Sequence, residues 1–277
     1  ADDGADEMVS SLLWDAGTTG IVEIDGQLLA GFDDRATADA VIEQAVGWPV
    51  EVIGVEQATW AGGDETTTVT IAAEPDGPGQ PGPSEQSGGS ARTLSIVAGP
   101  TFGHGAHPTT ALAIDLVTGA IRGRLADPAA VRPSVLDVGT GSGVLAIVAA
   151  ALGASPVVGV DNDPAAIPVA RGNGERNGVE LIVSDATVDR TPDLVDGARF
   201  DLVVANVLVP VQRELAVAMA AVLADGGTLA TTGYLEADGP SVIELHRSAL
   251  AAAGRPVARV EMVGPADGWI GHRFDLG

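Results

Sequence analysis

From Ser134 onward, short unbroken apolar runs alternate with longer segments whose apolar residues recur at helical spacing. Ser134–Val138, Val157–Val160, Glu180–Ser184, Asp201–Ala205 and Thr228–Gly233 predict strands. Val144–Leu152, Pro164–Asn177 and Val209–Leu223 predict the helices between them. Strands without polar alternation are buried on both faces, and strands separated by helices pair in parallel. The expected architecture is α/β, a doubly wound, mostly parallel, Rossmann-like sheet. No internal repeat is present.

The first 73 residues carry a different pattern. Asp6–Ala16 predicts a helix, and Gly20–Ile24 and Leu28–Phe32 predict two strands around Asp25-Gly26, a pair suited to a tight hairpin. Ala36–Val46 predicts a helix with Ala36, Ala40, Val41 and Ala45 on one side. Val50–Val55 and Thr67–Ala72 predict further strands. This order suggests a small α+β, ferredoxin-like domain without the unit's first strand. Glu74–Arg92 is rich in Pro, Gly, Ser and Gln, with almost no apolar residue to offset the entropy of ordering, and predicts a flexible linker. The expected division is a small domain over 1–73, a linker over 74–93 and a larger domain over 94–277.

Composition narrows the function. The 277 residues are 45% hydrophobic, which excludes disorder of the whole chain, and 3% aromatic, so Ala, Val, Leu and Ile must build the core. The absence of Cys excludes disulfides, thiolate metal sites and a cysteine nucleophile. All 14 basic residues are Arg, against 38 acidic ones, for a formal charge of −24. Such a field disfavours nucleic acid and attracts a basic protein. Ala1–Asp15 is acidic and lacks the basic start of a signal peptide. The longest apolar stretch, Gly143–Val160, is broken by Gly153-Ala154-Ser155-Pro156, and neither half approaches the roughly 20 residues of a membrane span. A soluble, cytoplasmic, monomeric protein that binds no membrane is expected.

In a doubly wound sheet, ligands sit at the carboxyl ends of the strands. There the chain has Asp137-Val138-Gly139-Thr140-Gly141-Ser142-Gly143. Gly139, Gly141 and Gly143 let the backbone approach a ligand, and the following helix offers free N–H groups. The spacing G-x-G-x-G departs from the G-x-G-x-x-G of dinucleotide sites and argues against a nicotinamide dehydrogenase. Asp137 can accept from a ligand ammonium or cap the loop. Asp161, about 20 residues beyond the glycines at the end of the second strand, can accept from both ribose hydroxyls. Together these residues resemble the cofactor site of class I S-adenosyl-L-methionine-dependent methyltransferases.

Two outer segments narrow the resemblance. Thr101-Phe102-Gly103-His104-Gly105-Ala106-His107-Pro108-Thr109-Thr110 and Ala205-Asn206-Val207-Leu208 resemble the F-G-T-G-x-H-x-T-T and N-I-L-A segments of the bacterial methyltransferase family that modifies the eleventh protein of the large ribosomal subunit. Asp161-Asn162-Asp163-Pro164-Ala165-Ala166 is similar to its D-x-D-P-x-A segment, and Asn173 to Gly178 to its N-x-x-x-N-G segment. The resemblance runs from Pro100 to about Gly233. It implies a small recognition domain joined by a linker to a catalytic domain, with S-adenosyl-L-methionine as cofactor and a basic ribosomal protein as substrate. It also implies that Thr110, Gly139, Asp161 and Asn206 contact the cofactor or line the transfer site, and that Phe102 and Gly103 cover the methionine end. His104 stands where the family has Thr, and Val209 and Pro210 replace a small residue.

On this reading Asn206 receives the substrate amine through its amide oxygen. His104 either takes a proton or fills the Thr position. Asp185, after the third strand, either accepts from the adenine amino group or is a solvated loop carboxylate. His104 and His107 lack a third ligand, and no metal site is expected. An adenine-methylating enzyme would want an aromatic three residues after Asn206 to stack the base, and Val209 is aliphatic. Alternatives are methylation of another protein or a small molecule, and a non-catalytic cofactor-binding remnant.

Overall fold

The computed structural model describes residues 20–24, 27–31, 66–71, 92–97, 107–127 and 129–277. Contacts divide the chain into two units, residues 1–59 and 60–277. In the first unit, β1 (Gly20–Ile24) pairs antiparallel with β2 (Gln27–Gly31), in register Ile24↔Gln27 across Asp25-Gly26. The helices expected over 6–16 and 36–46, and the strand over 50–55, lie outside the described residues.

The larger unit is built on a seven-stranded sheet. Its strands are β5 (Val135–Val138), β6 (Val157–Val160), β7 (Ile182–Ser184), β8 (Phe200–Asn206), β9 (Leu223–Leu235), β10 (Val257–Ala266) and β11 (Trp269–Leu276). The order is β10-β11-β9-β8-β5-β6-β7. β5 to β9 run parallel, and the β10–β11 hairpin adds antiparallel to β9. The helices are α1 (Pro108–Leu125), α2 (Val144–Ala151), α3 (Ala166–Arg176), α4 (Val209–Val222) and α5 (Gly239–Ala252).

The sequence explains the placement. Every residue of β5 and β6 is buried, as strands covered on both faces require, Asp137 of β5 included. One apolar cluster joins α1 and α2 to one face of the sheet through Leu116, Val117, Ile121, Leu145 and Val148. A second fills the other face with Phe200, Met219, Leu223, Leu250 and Phe274. Each such side chain contributes about 1.5–3 kcal/mol by leaving water. α1 and α5 are helices not assigned from the sequence. In α1, buried positions 109, 112, 113, 116, 117 and 121 follow helical spacing, Pro108 occupies the first turn and Arg122 and Arg124 the last.

β3 (Thr66–Ile71) pairs antiparallel with β4 (Arg92–Val97), so the strand assigned to the small domain and the end of the linker form one hairpin in the larger unit. Val69, Ile71, Leu94 and Ile96 are buried in the first core cluster. A helix clamps the outer edge of β4. Asn177 Oδ1 accepts from Ser95 N at 2.8 Å, and its Nδ2 donates to Ser95 O at 2.8 Å. Asn173 does the same at Val97, with its oxygen 3.0 Å from N and its nitrogen 2.9 Å from O. Two amides four residues apart, Asn173 in α3 and Asn177 at its C-cap, thus stand in for a neighbouring strand.

Asn177→Ala leaves the N–H and C=O of Ser95 without these partners and is expected to destabilise the chain by about 2 kcal/mol. Urea unfolding followed by circular dichroism checks this, as a lower midpoint at unchanged slope.

Candidate active site

The connections reverse direction between β5 and β8: the chain leaves β5 toward β6 and β7, then returns to place β8 on the other side. The carboxyl ends of these strands therefore open a crevice. The glycine turn leaves β5 there, with φ of +70° at Gly139, +52° at Gly141 and +83° at Gly143. A side chain is strained at such angles. A Cβ at Gly139 would also stand 2.7 Å from Val207 Cγ1, in the turn that follows β8.

Two carboxylates hold this turn. Asp161, just past β6, accepts from Gly141 N at 2.8 Å through Oδ2 and from Asp163 N at 3.0 Å through Oδ1. Each oxygen retains acceptor capacity, so holding the loop and receiving a ligand hydroxyl are compatible. Asp163 serves the local turn, accepting from Ala165 N at 2.8 Å. Asp137 is 1% exposed, and its Oδ2 accepts from Thr140 Oγ1 at 2.7 Å and from Ala146 N at 3.2 Å. Oδ1 is buried, without a hydrogen-bond partner among the described residues. One oxygen of Asp137 thus caps the loop, and the other is buried beside it. Burial pushes its carboxyl up from 3.8 to about 7, the bonds from Thr140 and Ala146 pull it down, and the charge of Asp161 adds to the rise.

Asn206 ends β8, where it is partly exposed, and its Oδ1 accepts from Thr232 Oγ1 at 2.9 Å. The oxygen expected to receive the amine is thus already engaged, with one lone pair left. Asp185 is exposed just past β7. Thr110 lies in the first turn of α1, fully buried, and its Oγ1 has no partner among the described residues. His107 caps that helix, accepting from Thr109 N at 3.3 Å. Its ring meets Trp269 edge-on at 5.2 Å, and Trp269 pairs with Leu235 at the end of β9. The start of α1 therefore lies at the same end of the sheet as the glycine turn. Phe102, Gly103 and His104 lie outside the described residues. Among the described residues, no group of acidic and histidine side chains could hold a metal, and no helix is long and apolar enough to cross a membrane.

Thr232, Gln212 and His246 were not singled out from the sequence. All three are buried, and Gln212 Nε2 donates to Val207 O and Thr232 O, both at 2.9 Å. The sequence signal is weak: Gln212 and His246 each sit beside charged residues, Arg213-Glu214 and Arg247, and only the Thr231-Thr232 pair in a buried strand stands out.

The fold and glycine turn define a class I methyltransferase domain. A solved ribosomal protein L11 methylase from Lactobacillus delbrueckii subsp. bulgaricus superposes with a TM-score of 0.52 at 28% identity, covering 65% of this chain and 83% of that one. The sequence pattern of the ribosomal protein L11 methyltransferase (PrmA) family matches residues 83–255, and the chain belongs to this family. The ribosomal protein L11 methyltransferase of Deinococcus radiodurans is 35% identical over 241 residues, 83% of this chain and 81% of that protein. That of Vibrio cholerae is 39% identical over 153 residues, 55% of this chain and 48% of that protein. The match thus spans about half the length of the Vibrio protein.

The Asp137 carboxyl makes a testable contribution to stability. Its folded pKa lies above its unfolded one, so the folded state holds the proton more tightly and loses stability as pH rises from 3.8 toward about 7. Asp137→Asn cannot ionise. From about pH 4 to about pH 8, the unfolding free energy of the variant relative to the parent is expected to move in the variant's favour by about 4 kcal/mol, measured by urea titration without cofactor.

Proposed function

We propose that the chain is an S-adenosyl-L-methionine-dependent protein methyltransferase, acting on Lys side chains, the N-terminus, or both, of ribosomal protein L11. The observation that carries this reading is that the glycine turn, Asp161, the buried carboxyl of Asp137 and Asn206 all lie at the carboxyl ends of β5, β6 and β8. Family membership supports the substrate class.

These residues fit the cofactor. It carries two ribose hydroxyls, an ammonium and a sulfonium, and the site supplies a strand-end carboxylate, a positive-φ turn and a buried acceptor without a partner among the described residues. When bound, the cofactor supplies an electrophilic methyl group. Asp161 would accept from the ribose, Asp137 Oδ1 would answer positive charge, and Asp185 would accept from the adenine amino group. Thr110 would contact the cofactor or line the transfer site.

The acceptor must be a neutral amine, and a free Lys has a reference pKa of about 10.4. Burial disfavours its charged form. Asn206 would accept from the amine through the remaining lone pair of Oδ1 and aim the nitrogen. Orientation and exclusion of water then supply the rate without a strong base. L11 is a basic partner on this reading, and the formal charge of −24 would speed its encounter, less so in salt. The setting is cytoplasmic and the working form a monomer.

Intact-mass spectrometry of L11 incubated with the chain and S-adenosyl-L-methionine tests this. Stepwise methyl additions are expected. Unmodified L11, with cofactor binding confirmed by calorimetry, would overturn the substrate assignment. Asn206→Ala should bind cofactor normally and slow transfer on the order of 100-fold, the scale of a misplaced reactant.

A further inference from the structure

Behind Asn206 lies a buried polar chain that the chemistry above leaves unused. α4 starts directly after the Asn206-Val207-Leu208 turn, and Gln212 near its start is 0% exposed. Its Nε2 reaches two carbonyls, Val207 O and Thr232 O, each at 2.9 Å. Carbonyls only accept, so both amide protons are committed and the amide has one orientation. Oε1 must therefore accept, and its partner is His246 Nε2 at 2.9 Å. That nitrogen carries the proton, and Nδ1, which has no partner among the described residues, does not. Burial, and then the neighbouring His272, push His246 down to about 4, in keeping with a neutral ring.

Both carbonyls held by Gln212 belong to the surroundings of Asn206. Val207 is its chain neighbour, and Thr232 donates its hydroxyl to Asn206 Oδ1 at 2.9 Å. The turn and β9 also meet backbone to backbone. Gly233, at φ +96°, has no Cβ, and one there would stand 2.6 Å from Val207 O. A helix needing only to pack would be served by Leu or Met at position 212. A fully satisfied amide instead fixes geometry.

We infer that Gln212 is the positioning residue of the transfer site: by tying Val207 to Thr232, it sets the direction of the Asn206 amide. This rests on the reading of Asn206 as the group that receives the amine. Gln212→Met keeps the length and removes both donors, Thr232→Val keeps the shape and removes the hydroxyl, and Thr232→Ser keeps the hydroxyl.

The test measures kcat and KM for L11, cofactor Kd by calorimetry, and amide hydrogen exchange of the free protein. Gln212→Met and Thr232→Val are expected to lower kcat about tenfold, with cofactor Kd within about twofold and Thr232→Ser near the parent. Gln212→Met should speed exchange at 206–211 and leave 139–143 unchanged. Placed on Asn206→Ala, it should cost less than about twofold more, because the two act as one unit. Slow Asn206→Ala alongside a full-rate Gln212→Met, or losses that multiply in the double variant, would overturn the positioning role alone. Full turnover in Asn206→Ala would overturn the reading of Asn206 itself. If Gln212→Met does not fold, full turnover in Thr232→Val overturns the inference and a slow variant rescued by Thr232→Ser supports it.

Discussion

The bond from Gly141 N–H to Asp161 Oδ2, 2.8 Å long, ties the glycine turn to the end of β6. A turn with three positive-φ glycines has little intrinsic preference for one shape. Its form comes from outside: Val160 O receives Gly139 N and Thr140 N, Asp161 receives Gly141 N, and Asp137 receives Thr140 Oγ1 and Ala146 N. The parallel pairing of β5 with β6 brings these acceptors into place. The sheet thus shapes the loop, and the loop shapes the crevice.

A second constraint acts at the neighbouring strand. Where β6 holds its side of the crevice by a carboxylate, β8 holds its own by amides and hydroxyls running through Thr232 and Gln212. Val207 joins the two sides, its Cγ1 occupying the space that a Cβ at Gly139 would need. The turn carrying Asn206 therefore rests on the same glycine that the cofactor reading requires to be bare.

Much of this was legible in sequence because burial on both faces leaves an unambiguous mark. β6 and the start of α4 fall where the apolar runs place them, and β5 starts one residue later. The glycine turn and Asp161 stood out as chemistry at strand ends, and Asn206 stood out through the resemblance of the segment that carries it. The β3–β4 hairpin was not, because its anchor is distant. Ser95 and Asn177 are 82 positions apart, and no local pattern marks their pairing. The N-x-x-x-N-G segment was visible as a motif, yet its structural work, clamping an edge strand, appears only in three dimensions. The same separation hid Gln212 and His246, which read as ordinary polar residues until the fold satisfied them. The engaged oxygen of Asn206 likewise depends on β9, 26 positions away.

The central claim is that the carboxyl-end crevice takes a ribose-bearing sulfonium rather than a dinucleotide. Isothermal titration of the 277-residue chain with S-adenosyl-L-methionine and, separately, with NAD tests it most directly. One S-adenosyl-L-methionine bound per chain and no detectable heat from NAD is the expected result. Binding of NAD with no binding of S-adenosyl-L-methionine would contradict it.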